Sequence, residues 1–127
     1  MQEKHLFEYA VIRLVPCVER EEFLNVGVIV YCPSLGFLRT GLNLDEDKLK
    51  AFNCESPIGE IREHLSAFEK ISLGGDDAGP IGKMPIGSRF RWLTAPRSTI
   101  VQVSPVHTGL STSAEETLTS LLAKLVK

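Results

Sequence analysis

Apolar and polar positions alternate along two stretches near the start of the chain, and that alternation predicts a β-hairpin. From Tyr9 to Val15 and from Phe23 to Tyr31 the residues are largely β-branched or aromatic, and the charged cluster Glu19, Arg20, Glu21, Glu22 separates the runs. With a period of two, Ala10, Ile12 and Leu14 share one face of the first strand. Leu24, Val26, Val28 and Val30 make an apolar face on the second. Matching the two faces in register sets Arg13 across from Asn25 or Gly27, and Cys32 near Glu8. A third strand is expected over Gly36–Leu44, then a short helix over Asp45–Phe52 with acids in its first turn. Ser56-Pro57 offers an N-cap and a first-turn proline for a second helix, whose Ile58, Ile61, Leu65, Phe68 and Ile71 form one face and which Gly74 stops. The five glycines and two prolines of residues 74 to 87 predict a loop. A fourth strand is expected over Ser98–Val103, and Ser113 with Glu116 forms a capping box for a last helix that turns Leu118, Leu121, Leu122 and Leu125 inward. This order predicts an α+β domain: an antiparallel sheet of about four strands that starts with a long hairpin, with the helices packed on one face.

A chain of 127 residues is the size of one domain, and its 43% hydrophobic and 24% charged composition suits a folded one rather than a disordered or fibrous chain. The longest apolar run, Val26–Cys32, is far short of the roughly 20 residues of a membrane helix, so no membrane partner is expected. Glu3 and Glu8 argue against a secretory leader, which makes the cytoplasm the expected compartment. The three cysteines form no C-x-x-C. The hairpin sets Cys17 and Cys32 about 30 Å apart, so reduced thiols are expected. The formal charge of −2 hides an uneven distribution. Residues 1 to 77 hold 14 acids and 8 bases, whereas residues 78 to 114 hold Lys83, Arg89, Arg91 and Arg97 and no acid. The acidic half disfavours nucleic acid as a partner despite the basic segment.

That basic segment is the richest in chemistry. Between Ser88 and Thr99 lie three arginines, Trp92 and hydroxyls including Ser98 and Thr99, a composition suited to phosphate, carboxylate or a stacked base. An extended run over residues 88 to 92 would set Arg89 and Arg91 on one side and Phe90 and Trp92 on the other. The competing reading pairs the arginines with the acidic half and buries Trp92. His107, between Pro105 and Thr108-Gly109, is expected in a tight loop, and Arg13 is a fixed charge in an otherwise apolar strand. The expected ligand-binding set is therefore Arg13, Arg89, Arg91, Arg97, Ser98, Thr99 and His107. It would hold an anionic small molecule or an anionic group on a partner. The alternative is a hydrolase or transferase acting on a phosphorylated or nucleotide substrate, with His107 as acid or base and Ser98 or Ser104 as nucleophile. Gly82-Lys83 fails as a phosphate loop, since Asp77 and Met84 stand where glycine and a hydroxyl belong. His5, His64 and His107 are too scattered to suggest a metal site, and His64 reads as a partly buried structural histidine. No cofactor or metal is expected.

Three stretches carry a resemblance: Tyr9 to Pro16, Glu19 to Val28, and Phe90-Arg91-Trp92-Leu93-Thr94-Ala95-Pro96-Arg97-Ser98-Thr99. With Ser104 to Leu110, they are similar to a bacterial family catalogued as domain of unknown function 3037. The resemblance covers nearly the whole chain. Its matching polar residues are Arg13, Glu19, Arg20, Asn25, Arg97, Ser98, Thr99 and His107. It transfers no activity and no residue role. Members are often encoded beside kinases resembling the HipA toxin family, which implies such a kinase as a protein partner.

Overall fold

The computed structural model describes residues 3 to 52, 57 to 97 and 99 to 127, so the predicted cap Ser56 and the candidate Ser98 lie outside the described residues. The five strands found there are β1 (His5–Leu14), β2 (Leu24–Cys32), β3 (Phe37–Leu42), β4 (Val101–Val103) and β5 (His107–Ser111). The helices are α1 (Glu46–Ala51), α2 (Ile58–Leu73), the single turn α3 (Gly79–Gly82), α4 (Ile86–Leu93) and α5 (Ala114–Leu125). The strands form one antiparallel sheet in the order β3-β2-β1-β4, with β5 also on β1. The domain is α+β, as the element order predicts.

The hairpin register sets Arg13 opposite Asn25 and Glu8 opposite Tyr31, within the predicted range. It contains a bulge, because Ile12 pairs with Gly27 while Arg13 pairs with Asn25, which leaves Val26 without a counterpart. The bulge divides the expected apolar face of β2. Val26 joins Ile12, Leu14, Ile29 and Tyr31 in one core, whereas Val28, Val30 and Cys32 join Phe7 in another. A Cβ at Gly27 would come within 2.7 Å of Leu42 and 2.8 Å of the Gly41 carbonyl, so the bulged strand needs glycine where β3 crosses it.

The two cores lie on opposite faces of the sheet. Ile61, Leu65, Phe68 and Ile71 of α2 and Phe90 and Leu93 of α4 fill the first, while Leu118, Leu121, Leu122 and Leu125 of α5 cover the second. The expectation of helices on one face is thereby corrected. A β2 strand that is apolar on both sides leaves a second face that must also be covered, and the leucine stripe of α5 covers it. Its predicted cap is present, with Ser113 Oγ accepting from Glu116 N–H at 3.3 Å.

The thiol expectation divides as well: Cys32 is free and buried, donating to the Leu6 carbonyl at 3.3 Å, but Cys17 is disulfide-bonded. No helix among the described residues is long and apolar enough to cross a membrane.

Strands β4 and β5 lie end to end along one edge of β1, against Ile12–Leu14 and His5–Tyr9 respectively. Ser104 holds the junction. Its N–H donates to the Val11 carbonyl (2.8 Å), and its buried Oγ accepts from Val11 N–H (2.8 Å) while donating to the Pro105 carbonyl (2.9 Å). The hydroxyl takes the place of a backbone acceptor where Pro105 breaks the ladder. Ser104→Ala should therefore leave Val11 N–H buried without a partner and lower stability by about 1–3 kcal/mol. Urea unfolding checks this, and a midpoint unchanged from wild type would contradict it.

Candidate functional site

Ile86–Leu93 of the Arg-rich segment fold as helix α4, so the two-sided arrangement that an extended run over residues 88 to 92 would give does not arise. Ile86, Phe90 and Leu93 recur at helical spacing and face the core, with Phe90 and Leu93 buried. Trp92 is 39% exposed and does not fill the core. Residues 76 to 82, expected as loop, form a 3-10 turn followed by α3.

The last carbonyls of a helix have no intrahelical partner, and here two arginines supply one. Arg89 Nη1 donates to the carbonyls of Ile71 and Ser72 at the end of α2, each at 2.8 Å, and its Nε donates to Met84 O at 3.1 Å. A Cβ at Gly74 would come within 2.8 Å of Arg89 Nη1, and Gly74 has φ +77°, so glycine opens the room for this cap. Arg97 closes α4 in the same way. Its Nη1 donates to Leu93 O (2.7 Å) and Ala95 O (3.4 Å), and its Nη2 donates to Trp92 O (2.9 Å). Both cations sit at helix C-termini, where the helix dipole favours them. Arg91 is exposed, with no hydrogen-bond or ion-pair partner among the described residues. The ion pairs found there are Arg20–Glu22, Arg62–Glu46 and Lys83–Asp76. The basic segment is thus largely satisfied by backbone carbonyls rather than by the acidic half.

Arg97 has a second environment. Its guanidinium lies 4.9 Å from the Trp92 ring centroid and 5.1 Å from that of Phe68 on α2, in cation–π contact with both. It lines a cavity of about 320 Å³ with His64, Ala67, Phe68, Trp92, Thr99 and Val101. Burial pushes the Arg97 pKa below its ordinary value, because desolvation disfavours the charged form. Thr99 Oγ1 donates to Val101 O at 2.8 Å, which fixes the turn from the segment into β4. His64, expected as a partly buried structural histidine, is exposed on α2 and lines this cavity.

Arg13 and His107 belong to the other side of the sheet. Arg13 pairs with Gln102 of β4 and lies 4.3 Å from the centroid of Phe23. Its Nε and the Oδ1 of its register partner Asn25 are buried without hydrogen-bond partners among the described residues, while Asn25 Nδ2 donates to Leu125 O at the end of α5. His107 is on strand β5, not in a tight loop. It is opposite Tyr9, with ring centroids 5.3 Å apart. Tyr9 and Arg13 share a face of β1 but stand four residues, about 13 Å, apart. The expected set therefore does not form one cluster: Arg97 and Thr99 line the cavity, Arg89 caps α2, Arg91 faces solvent, and Arg13 and His107 are separate on the α5 face. Ser104, weighed as a nucleophile, is committed to the strand junction.

A larger hollow of about 610 Å³, beside Asp45, Glu46, Asp47 and Glu69, is strongly acidic and has its one lining arginine, Arg62, paired with Glu46. Among the described residues no group of three or more His, Cys, Asp or Glu is placed to hold a metal ion.

Fold and site define an α+β domain with a small arginine-bearing aromatic cavity between its sheet and two helices. The chain belongs to the family described as Protein of unknown function (DUF3037), whose model matches residues 9–126. No curated protein and no solved structure matches it.

The two capping roles lead to a direct contrast. Arg89→Ala removes charge-assisted bonds from half-buried carbonyls and should destabilise the protein by about 2–3 kcal/mol, whereas Arg91→Ala should stay within about 0.5 kcal/mol of wild type. Thermal and urea unfolding of the two variants measure this difference; equal losses would contradict the assigned roles.

Proposed function

We propose that this protein is a small binding domain that holds an anionic group in the cavity around Arg97, presented by a ligand or by a protein partner such as the HipA-like kinase that the family resemblance implies. One observation carries the reading. Arg97 is a partly desolvated, permanently charged group that is held by helix carbonyls and two aromatic faces and has no carboxylate partner among the described residues. Carbonyl dipoles and ring quadrupoles orient such a cation and offset part of its desolvation, but they leave its charge uncompensated, and an anion supplies the compensation. The hollow beside it has the shape of a receptor rather than of a filled core.

Thermal unfolding of the wild type, Arg97→Gln and Arg91→Ala, each with a panel of organic carboxylates and phosphates, tests the reading. The wild type and Arg91→Ala should be stabilised by the same compounds. Arg97→Gln should lose the effect, since removing one member of a desolvated ion pair costs about 2–5 kcal/mol of binding. An undiminished shift in Arg97→Gln would rule this cavity out.

A further inference from the structure

The hydrogen bonds of Arg97 also specify the kind of anion, given that the cavity is the binding site as just proposed. A guanidinium carries five N–H groups in one plane. Nη1 donates to Leu93 O and Ala95 O and Nη2 donates to Trp92 O, which accounts for three of the five N–H groups. Nε–H and one Nη2–H have no acceptor among the described residues, and with the Nη2 bond made on the Nη1 side these two lie parallel as a side-on fork. That pair matches the two oxygens of a planar carboxylate, two parallel bonds to one group. A phosphate can present two oxygens to the same fork, so charge decides between the two. Arg97 is the only Lys or Arg among the described residues lining the cavity. It therefore balances a single negative charge, while a dianionic phosphate would leave one charge uncompensated among apolar walls. Those walls, Phe68, Trp92, Ala67 and Val101, suit a flat apolar body, and a hollow of about 320 Å³ lies at the small end of ligand cavities.

We propose that the cavity takes a small monocarboxylic acid with an aromatic or similarly flat apolar body, its carboxylate held side-on by Arg97 Nε–H and Nη2–H. The chain has one tryptophan, and it lines the cavity, so its fluorescence reports occupancy without a label. The wild-type protein is titrated with 3-phenylpropionate, its neutral amide 3-phenylpropionamide, phenyl phosphate, and acetyl-Gly-Gly-Phe, which carries the same acid at the end of a peptide. The acid should change Trp92 emission saturably and bind at least about tenfold tighter than the amide and the phosphate. Equal binding of the amide, or tighter binding of the phosphate, would overturn the carboxylate assignment while leaving the cavity as an anion site. Tighter binding of the peptide would overturn the small acid in favour of a chain terminus. No response to any of the four would overturn both this assignment and the cavity reading. Because the comparison is among ligands on one protein, it does not depend on whether a variant folds. Arg97→Lys, which keeps the single charge and loses the planar fork, should weaken binding of the acid while leaving the acid ahead of the phosphate.

Discussion

Two helices end inside this domain, and the carbonyls they leave without intrahelical partners decide how the basic segment is used. At the end of α2 the Ile71 and Ser72 carbonyls receive Arg89, and at the end of α4 the Trp92 and Leu93 carbonyls receive Arg97. The two caps tie α2, the loop after it and α4 together over one face of the sheet. They differ in what they leave open. Arg89 fits against Gly74 and borders a separate hollow of about 310 Å³ beside Arg39, with no aromatic ring in cation–π contact among the described residues. Arg97 has an aromatic ring on two sides and a hollow beside it, so the same capping chemistry yields a structural tie in one case and an exposed recognition edge in the other.

The sheet sets which residues can cooperate. β1 is the strand on which both edges converge, and its pleat sends Ile12 and Leu14 toward α2 and α4 while Tyr9 and Arg13 face the α5 side. The Val26 bulge lets β2 serve both cores while it still pairs Asn25 with Arg13. A guanidinium on one side of such a sheet cannot share a ligand with one on the other. Arg13, stacked on Phe23 near the end of α5, and Arg97, under α2 and α4, therefore have independent roles.

Strong local patterns were legible in the sequence. The β1–β2 hairpin, the apolar stripe Ile61, Leu65, Phe68 and Ile71 of α2 and the Ser113 cap of α5 each agree with the packing their residues enter, so local preference and tertiary context coincide there. The division into two cores was not legible, because a one-residue bulge reverses the facing of everything beyond it and leaves no mark on the alternation itself. The helix over Ile86–Leu93 was not legible, because glycine and arginine obscure the short apolar spacing, Ile86, Phe90, Leu93, that carries it. Of the site, Arg97 and Thr99 were recognised from composition. Phe68 was assigned to the core and His64 to a structural role, because nothing in their own helix announces that α4 will end beside them.

Arg97 keeps one edge of its guanidinium for a carboxylate while the other edge caps α4. Side-chain NMR of ¹⁵N-labelled protein observes that edge directly through the Arg97 Nε–H resonance, assigned by its absence in Arg97→Lys. On titration with 3-phenylpropionate this resonance should shift to lower field, as expected for a new charge-assisted hydrogen bond, and saturate together with the Trp92 indole N–H. A ligand that moves the Arg13, Arg89 or Arg91 resonances and leaves Arg97 Nε–H unchanged would contradict the account.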